Sequence, residues 1–108
     1  MLTELHIENL GVIERVELTL GAGLTAVTGE TGAGKTMLVE AIELLVGGRA
    51  DSSIVRHGAT EARIDGRFVT AAGDERVLTR VIPAEGRSRA YVDGRLATVA
   101  SLAEIAAD

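Results

Sequence analysis

The sequence predicts an α/β fold, with a mixed or antiparallel sheet set around one helix. Three observations lead there. Two short segments near the start, Thr3 to Glu8 and Arg15 to Leu20, alternate apolar and polar residues, the period of a half-buried strand. A glycine-rich stretch, Gly29 to Thr36, stands between an apolar run and a helix-like run. From Glu61 the period of two returns and is cut by turn residues, the pattern of an antiparallel meander.

Taken in order, Leu5 and Ile7 face one side of the first strand, and His6 and Glu8 face the other. Asn9-Leu10-Gly11 breaks it. In the second strand Val16, Leu18 and Leu20 point inward, while Arg15, Glu17 and Thr19 point outward. Two amphipathic strands on a short link suggest an antiparallel pair. Gly21-Ala22-Gly23 then turns the chain into Leu24 to Val27, a run with no outward charge, as a strand covered on both faces requires. Met37 to Val46 reads as a helix that is apolar almost all round. Thr36, Glu40 and Glu43 form its polar stripe, and Leu38, Ala41, Ile42 and Leu45 are expected to fill the opposite face. Gly47-Gly48 ends it as C-cap glycines. Arg49 to Thr60 has mixed polarity and reads as loop, with His57 a plain surface residue.

Beyond the loop Ala62, Ile64, Gly66 and Phe68 share one face, and Arg63, Asp65 and Arg67 share the other. Gly73-Asp74-Glu75 and Pro83-Ala84-Glu85-Gly86 are turns that bracket a strand from Arg76 to Ile82. Arg87 to Val92 returns beside it, and Asp93-Gly94 marks a tight turn. Thr98 to Ala107 is a short helix. Ser101 and Glu104 have capping-box spacing, and Leu102, Ile105 and Ala106 give an apolar face.

The chemistry is concentrated in Val27-Thr28-Gly29-Glu30-Thr31-Gly32-Ala33-Gly34-Lys35-Thr36, which matches G-x-x-x-x-G-K-[ST], the P-loop. Its context, strand before and helix after, is the one the chemistry needs. The glycines let the backbone curl in conformations that a side chain would forbid. Curled N–H groups make an anion nest, and the helix N-terminus adds its positive end. Lys35 is then expected on the β/γ-phosphates and the Thr36 hydroxyl on Mg²⁺. Lys35 is also the only lysine in the chain, so a composition that otherwise uses arginine still places a lysine here.

Composition narrows the options. The 108 residues suit one small domain. Net charge is −5, and it is uneven: residues 1–48 carry Arg15 and Lys35 against seven acids, whereas 49–108 carry nine arginines against nine acids. Neither part has the basic excess of a nucleic-acid footprint. Six arginines, at 63, 67, 76, 80, 87 and 89, fall on the later strands. A solvated face of Arg–acid pairs is the expectation there; a phosphate-binding face is the sharper alternative. Cysteine is absent, which excludes disulfides and thiolate metal sites. No apolar run approaches the ~20 residues of a membrane span.

Hydrolysis asks for more than a phosphate cradle. A strand ending in Asp normally holds Mg²⁺, and a further group orients the attacking water. Asp74-Glu75 is the only adjacent acid pair and sits in a turn, Asp108 follows a predicted helix, and glutamine is absent. These residues alone are therefore expected to be inactive, either as a piece of a longer ATPase or as a nucleotide-binding module without turnover.

Three stretches carry a resemblance to the RecN-type DNA repair ATPases, bacterial relatives of the SMC proteins with an ABC-type head: Leu5-His6-Ile7-Glu8-Asn9-Leu10-Gly11-Val12-Ile13, the P-loop, and Leu44-Leu45-Val46-Gly47-Gly48-Arg49-Ala50. Gly86-Arg87-Ser88-Arg89-Ala90-Tyr91-Val92-Asp93-Gly94 is similar to the family's paired strands. The resemblance implies the N-terminal lobe of an ABC/SMC-type head that binds ATP and Mg²⁺. It also implies closure of two heads over two nucleotides, action on DNA double-strand breaks and recombination, and a bacterial cytoplasm near the nucleoid. Its partners would be the remainder of the head, a second head and DNA, with no membrane. An arginine beyond the P-loop helix approaches the nucleotide in SMC-like heads, and Arg56 is its positional match.

The sequence departs from the family in lacking the glutamine loop, coiled coil, signature motif and acidic strand. The expected organisation is one partial domain over 1–108. It comprises a strand pair, P-loop strand and helix in 1–48, a loop in 49–60, antiparallel strands in 61–97 and a short helix in 98–108. Two other readings stay open, a truncated non-hydrolysing module and a lobe of another P-loop enzyme. Helicases do not need the strand pair before the loop. Transporter subunits usually carry an early aromatic to stack on adenine, which this segment lacks. An isolated lobe also leaves apolar surface uncovered, so poor solubility is expected.

Overall fold

The computed structural model describes residues 2–19 and 32–106. The turn expected at 21–23, the strand expected at 24–27 and the residues at 107–108 lie outside them. Within the described residues the order is β1 (Leu2–Leu10), β2 (Ile13–Thr19), α1 (Gly32–Leu45), a 3-10 turn (Ser52–Ile54), β3 (Glu61–Val69), β4 (Glu75–Pro83), β5 (Arg89–Val92), β6 (Arg95–Ala97) and α2 (Val99–Ala106). The strands form one sheet in the order β2-β1-β3-β4-β5-β6, with every described pairing antiparallel.

Period-two patterning builds this sheet as expected. Leu5, Ile7, Ala62, Ile64, Phe68, Leu78 and Ile82 are buried on the face toward α1. His6, Arg63 and Arg67 alternate away from it. Leu38, Ala41, Leu44 and Leu45 of α1 pack into the same core. Gly66 makes the close approach possible, because a Cβ built on it would overlap the Leu45 side chain. The absence of a side chain there is thus a packing requirement of the helix above. The principal extents, 40 × 32 × 18 Å, are those of one sheet and one helical layer.

Several expectations need correction. The strand pair is longer than its alternation suggested: β1 runs on through Asn9 and Leu10, and β2 begins at Ile13. Asn9 and Gly11 take positive φ values of 54° and 55°, so the break falls at Gly11-Val12. Ile42 does not join the inward face of α1; it is 36% exposed, Val39 is 58% exposed, and Leu44 is buried instead. The helix presents a narrower stripe to the sheet than its composition implied, and its outward face is open. Positions 49–60 are not plain loop. Asp51 caps the 3-10 turn through Ser53 N–H at 3.0 Å, and Val55 bridges to Leu10. A third hairpin strand, β6, was not expected. Asp93 and Gly94, at φ 52° and 83°, make its two-residue turn. The strand expected from Arg87 starts at Arg89. Thr98, not Ser101, caps α2: its Oγ1 accepts from Ser101 N–H at 3.1 Å.

Candidate phosphate-binding site

α1 begins at Gly32, inside the glycine-rich motif and not after it. Gly32, Ala33, Gly34, Lys35 and Thr36 are therefore its opening residues. The first N–H groups of an α-helix have no partner within it, and they carry the positive end of the macrodipole. No acid stands in the first turn to compete for that end. A main-chain donor set of this kind fits a phosphate group. Gly29, Glu30 and Thr31 lie outside the described residues, as do the side chains of Lys35 and Thr36.

The opposite end of α1 is closed in detail. Gly47 takes φ 107°, its N–H donates to the Leu44 carbonyl at 3.2 Å, and the Gly48 N–H donates to the Glu43 carbonyl at 2.8 Å. That pair of bonds is the Schellman arrangement. Arg80 completes it from β4. Its Nη1 donates to the Leu44 carbonyl at 2.8 Å and to the Gly48 carbonyl at 2.7 Å, and its Nη2 donates to Ser88 Oγ at 3.0 Å. Only 2% of Arg80 is exposed, and burial pulls the guanidinium below the usual arginine range. No carboxylate pairs with it among the described residues; the negative end of α1 takes that place.

Arg80 therefore departs from the expected solvated face. It sits between Ile64 and Ala90, on the core side with Leu78 and Ile82. The signal was present in the sequence, since Leu78, Arg80 and Ile82 share parity along β4. Arg87 is exposed and precedes β5. Arg63, Arg67 and Arg89 behave as expected. Arg63 Nε meets Asp65 at 2.9 Å, Arg67 Nη1 meets Glu4 at 3.2 Å, and Arg89 Nη2 meets Glu61 at 3.4 Å. At the rim Arg76 Nε meets Asp93 at 2.8 Å. Asp65 also accepts from Thr79 Oγ1 at 2.6 Å. His6 lies between Glu8 at 2.9 Å and Glu17 at 3.4 Å. The outer face is a set of paired charges, not a row of free cations.

Arg56 is tied to the β1–β2 turn. Its N–H donates to the Asn9 carbonyl at 2.8 Å, and its Nη1 donates to the Val12 carbonyl at 3.2 Å. The side chain is half-buried, and a guanidinium has five donors, so this anchor does not exhaust it. His57 is exposed, as expected.

Comparison with known proteins agrees with this layout. A family model described as an AAA domain matches residues 4–91. The DNA repair protein RecN of Streptomyces coelicolor is 44% identical over 119 residues, covering 94% of this chain and 21% of that protein. RecN of Bacillus subtilis is 42% identical over 121 residues, covering 97% and 21%. The chain thus spans about a fifth of the length of these relatives. Among solved structures, one of SMC ATPases, concerned with ATP-driven dimerization and DNA-stimulated activation, superposes with a TM-score of 0.84 at 23% identity, covering 98% of this chain and 77% of that one. The recombination mediator protein RecF with ATP superposes with a TM-score of 0.79 at 24% identity, covering 97% and 30%. Fold and sequence point the same way: the chain belongs to the AAA domain family and is of the RecN type, with the fold of the N-terminal lobe of an SMC-like ATPase head.

Proposed function

We propose that this chain is the ATP-binding lobe of a RecN-like protein acting in DNA double-strand break repair and recombination. Gly29 to Thr36 hold the triphosphate, Lys35 meets the β/γ-phosphates, Thr36 supplies its hydroxyl to Mg²⁺, and Arg56 approaches the nucleotide from the β1–β2 turn. The observation that carries this reading is the coincidence of the G-x-x-x-x-G-K-[ST] motif with the first turn of α1. Relatives named as DNA repair proteins support it, as do neighbours described with ATP and with ATP-driven dimerization. When bound, Mg²⁺ would neutralise phosphate charge beside Thr36.

The 108 residues act in this proposal as one partial domain. Turnover belongs to the larger assembly: the rest of the head, a second head closing on ATP, and DNA engaged by the whole protein. No helix among the described residues is long and apolar enough to cross a membrane, and we place the protein in the bacterial cytoplasm near the nucleoid. A Lys35→Ala variant tests the assignment. Titrating ATP·Mg into both forms is expected to show at least about tenfold weaker binding in the variant, a difference of about 1.4 kcal/mol. Equal affinities would remove Lys35 from the role.

A further inference from the structure

The buried Arg80 is not used by the phosphate chemistry, and nothing about a sheet requires a guanidinium at that position. Its neighbours across β3 and β5 are Ile64 and Ala90, which would accept an apolar side chain. Burying an arginine without a carboxylate is costly, and Nε has no hydrogen-bond partner. What the residue gains is specific. Two of its bonds go to the Leu44 and Gly48 carbonyls at the closed end of α1, and the third goes to Ser88 at the approach to β5. One side chain thus ties the helix to two strands. At 14 residues and 1.5 Å per residue, α1 is about 21 Å long, so a small tilt at the closed end becomes a larger displacement of the opening amides.

We propose that Arg80 is a positioning residue for the phosphate-binding turn, holding the axis of α1 so that the Gly32–Thr36 amides keep the register a triphosphate needs. The inference rests on the nucleotide reading above. Its action is mechanical. It acts on the closed end of α1, about 21 Å from the opening amides by that same helix length, too far for any direct contact with a phosphate. Ser88 is the secondary contact, through which the turn at 84–88 can bias the helix.

The test uses Arg80→Met, Arg80→Lys and Ser88→Ala, with Lys35→Ala beside them. ATP·Mg affinity is measured well below each thermal midpoint, and the amide chemical shifts of residues 32–36 are recorded without nucleotide. Arg80→Met is expected to move those shifts and to weaken ATP binding about tenfold, the equivalent of about 1.4 kcal/mol. Arg80→Lys should recover part of the affinity, because it restores one donor to the carbonyls. Ser88→Ala should weaken binding about twofold, about 0.4 kcal/mol by the same conversion. Lys35→Ala should lose affinity while leaving the shifts of the helix's last turn in place.

A lower midpoint for Arg80→Met with unchanged affinity and unchanged shifts at 32–36 would make the residue merely structural and overturn the proposal. Should Arg80→Met fail to fold, unchanged affinity in both Arg80→Lys and Ser88→Ala overturns it equally. If the unsubstituted protein binds no ATP, the nucleotide reading falls and this inference falls with it. That outcome is distinct, since only there does the unsubstituted protein itself show no ATP binding.

Discussion

The two faces of the sheet put the same residue type to opposite uses. On the outer face Arg63, Arg67 and Arg89 lie half-exposed beside Asp65, Glu4 and Glu61. Such pairs contribute little, about 0–1 kcal/mol each, because water already solvates both partners. On the inner face Arg80 is buried, without a carboxylate partner among the described residues, and bonded to main-chain carbonyls. The lesson concerns consequence more than charge. An arginine that water can reach is replaceable, whereas one that closes a helix end inside a core is part of the frame that aims the helix's other end.

That contrast can be tested from the inner face outward. The largest effect is expected at Gly66, where any Cβ meets Leu45. Gly66→Val should destabilise the fold by about 3 kcal/mol, since overpacking forces either the helix or a central strand to move. Denaturant unfolding of the two forms measures it, and a cost below about 1 kcal/mol would mean the layers are looser than described. Arg80, tested above through binding, comes next.

A smaller effect is expected at Asp93, whose carboxylate accepts from the Val77 N–H at 2.8 Å and from Arg76 Nε at 2.8 Å. The Val77 bond does most to hold its carboxyl below the usual range; burial opposes it, and Arg76 adds to the lowering. A folded pKa below the unfolded one adds stability above the unfolded value, about 3.9, and loses it as pH falls through the folded value. Asp93→Asn keeps a residue that tolerates φ 52° and should flatten the fall in thermal midpoint between neutral pH and about pH 3. A fall as steep as in the parent would assign the acid limb elsewhere.

Least of all should change at Arg63. Arg63→Ala is expected to cost no more than about 1 kcal/mol, less in high salt. A larger loss would show that the outer face is also part of the frame.

The sequence made the fold legible where one physical signal acted alone. Ala62, Ile64, Gly66 and Phe68 read correctly because one face of β3 is buried and the other is wet. Gly47 and Asp93-Gly94 read correctly because their positive φ values favour such residues, and Gly48 because a Cβ there would meet the Glu43 carbonyl. Errors came where two signals competed. Both Thr98/Ser101 and Ser101/Glu104 suit a capped start, and the choice fell to Thr98 because β6 ends at Ala97. β6 itself has three residues, two of them exposed, too few to show a period. Ile42 looked internal because composition cannot tell a covered helix face from an open one. Arg80 was masked by its charge, although its parity with Leu78 and Ile82 placed it inside. The candidate site is legible as a motif, whereas the bonds of Arg80 to the last turn of α1 become visible only through tertiary contacts.

The central claim is that the first turn of α1 grips a triphosphate while its closed end is held still. Backbone amide chemical shifts, followed as ATP·Mg is added, address it most directly. The account predicts large shifts at residues 29–36, and little change at Leu44, Gly48 and Arg80. Shifts spread evenly over the sheet, or none at 32–36 at saturating nucleotide, would contradict it.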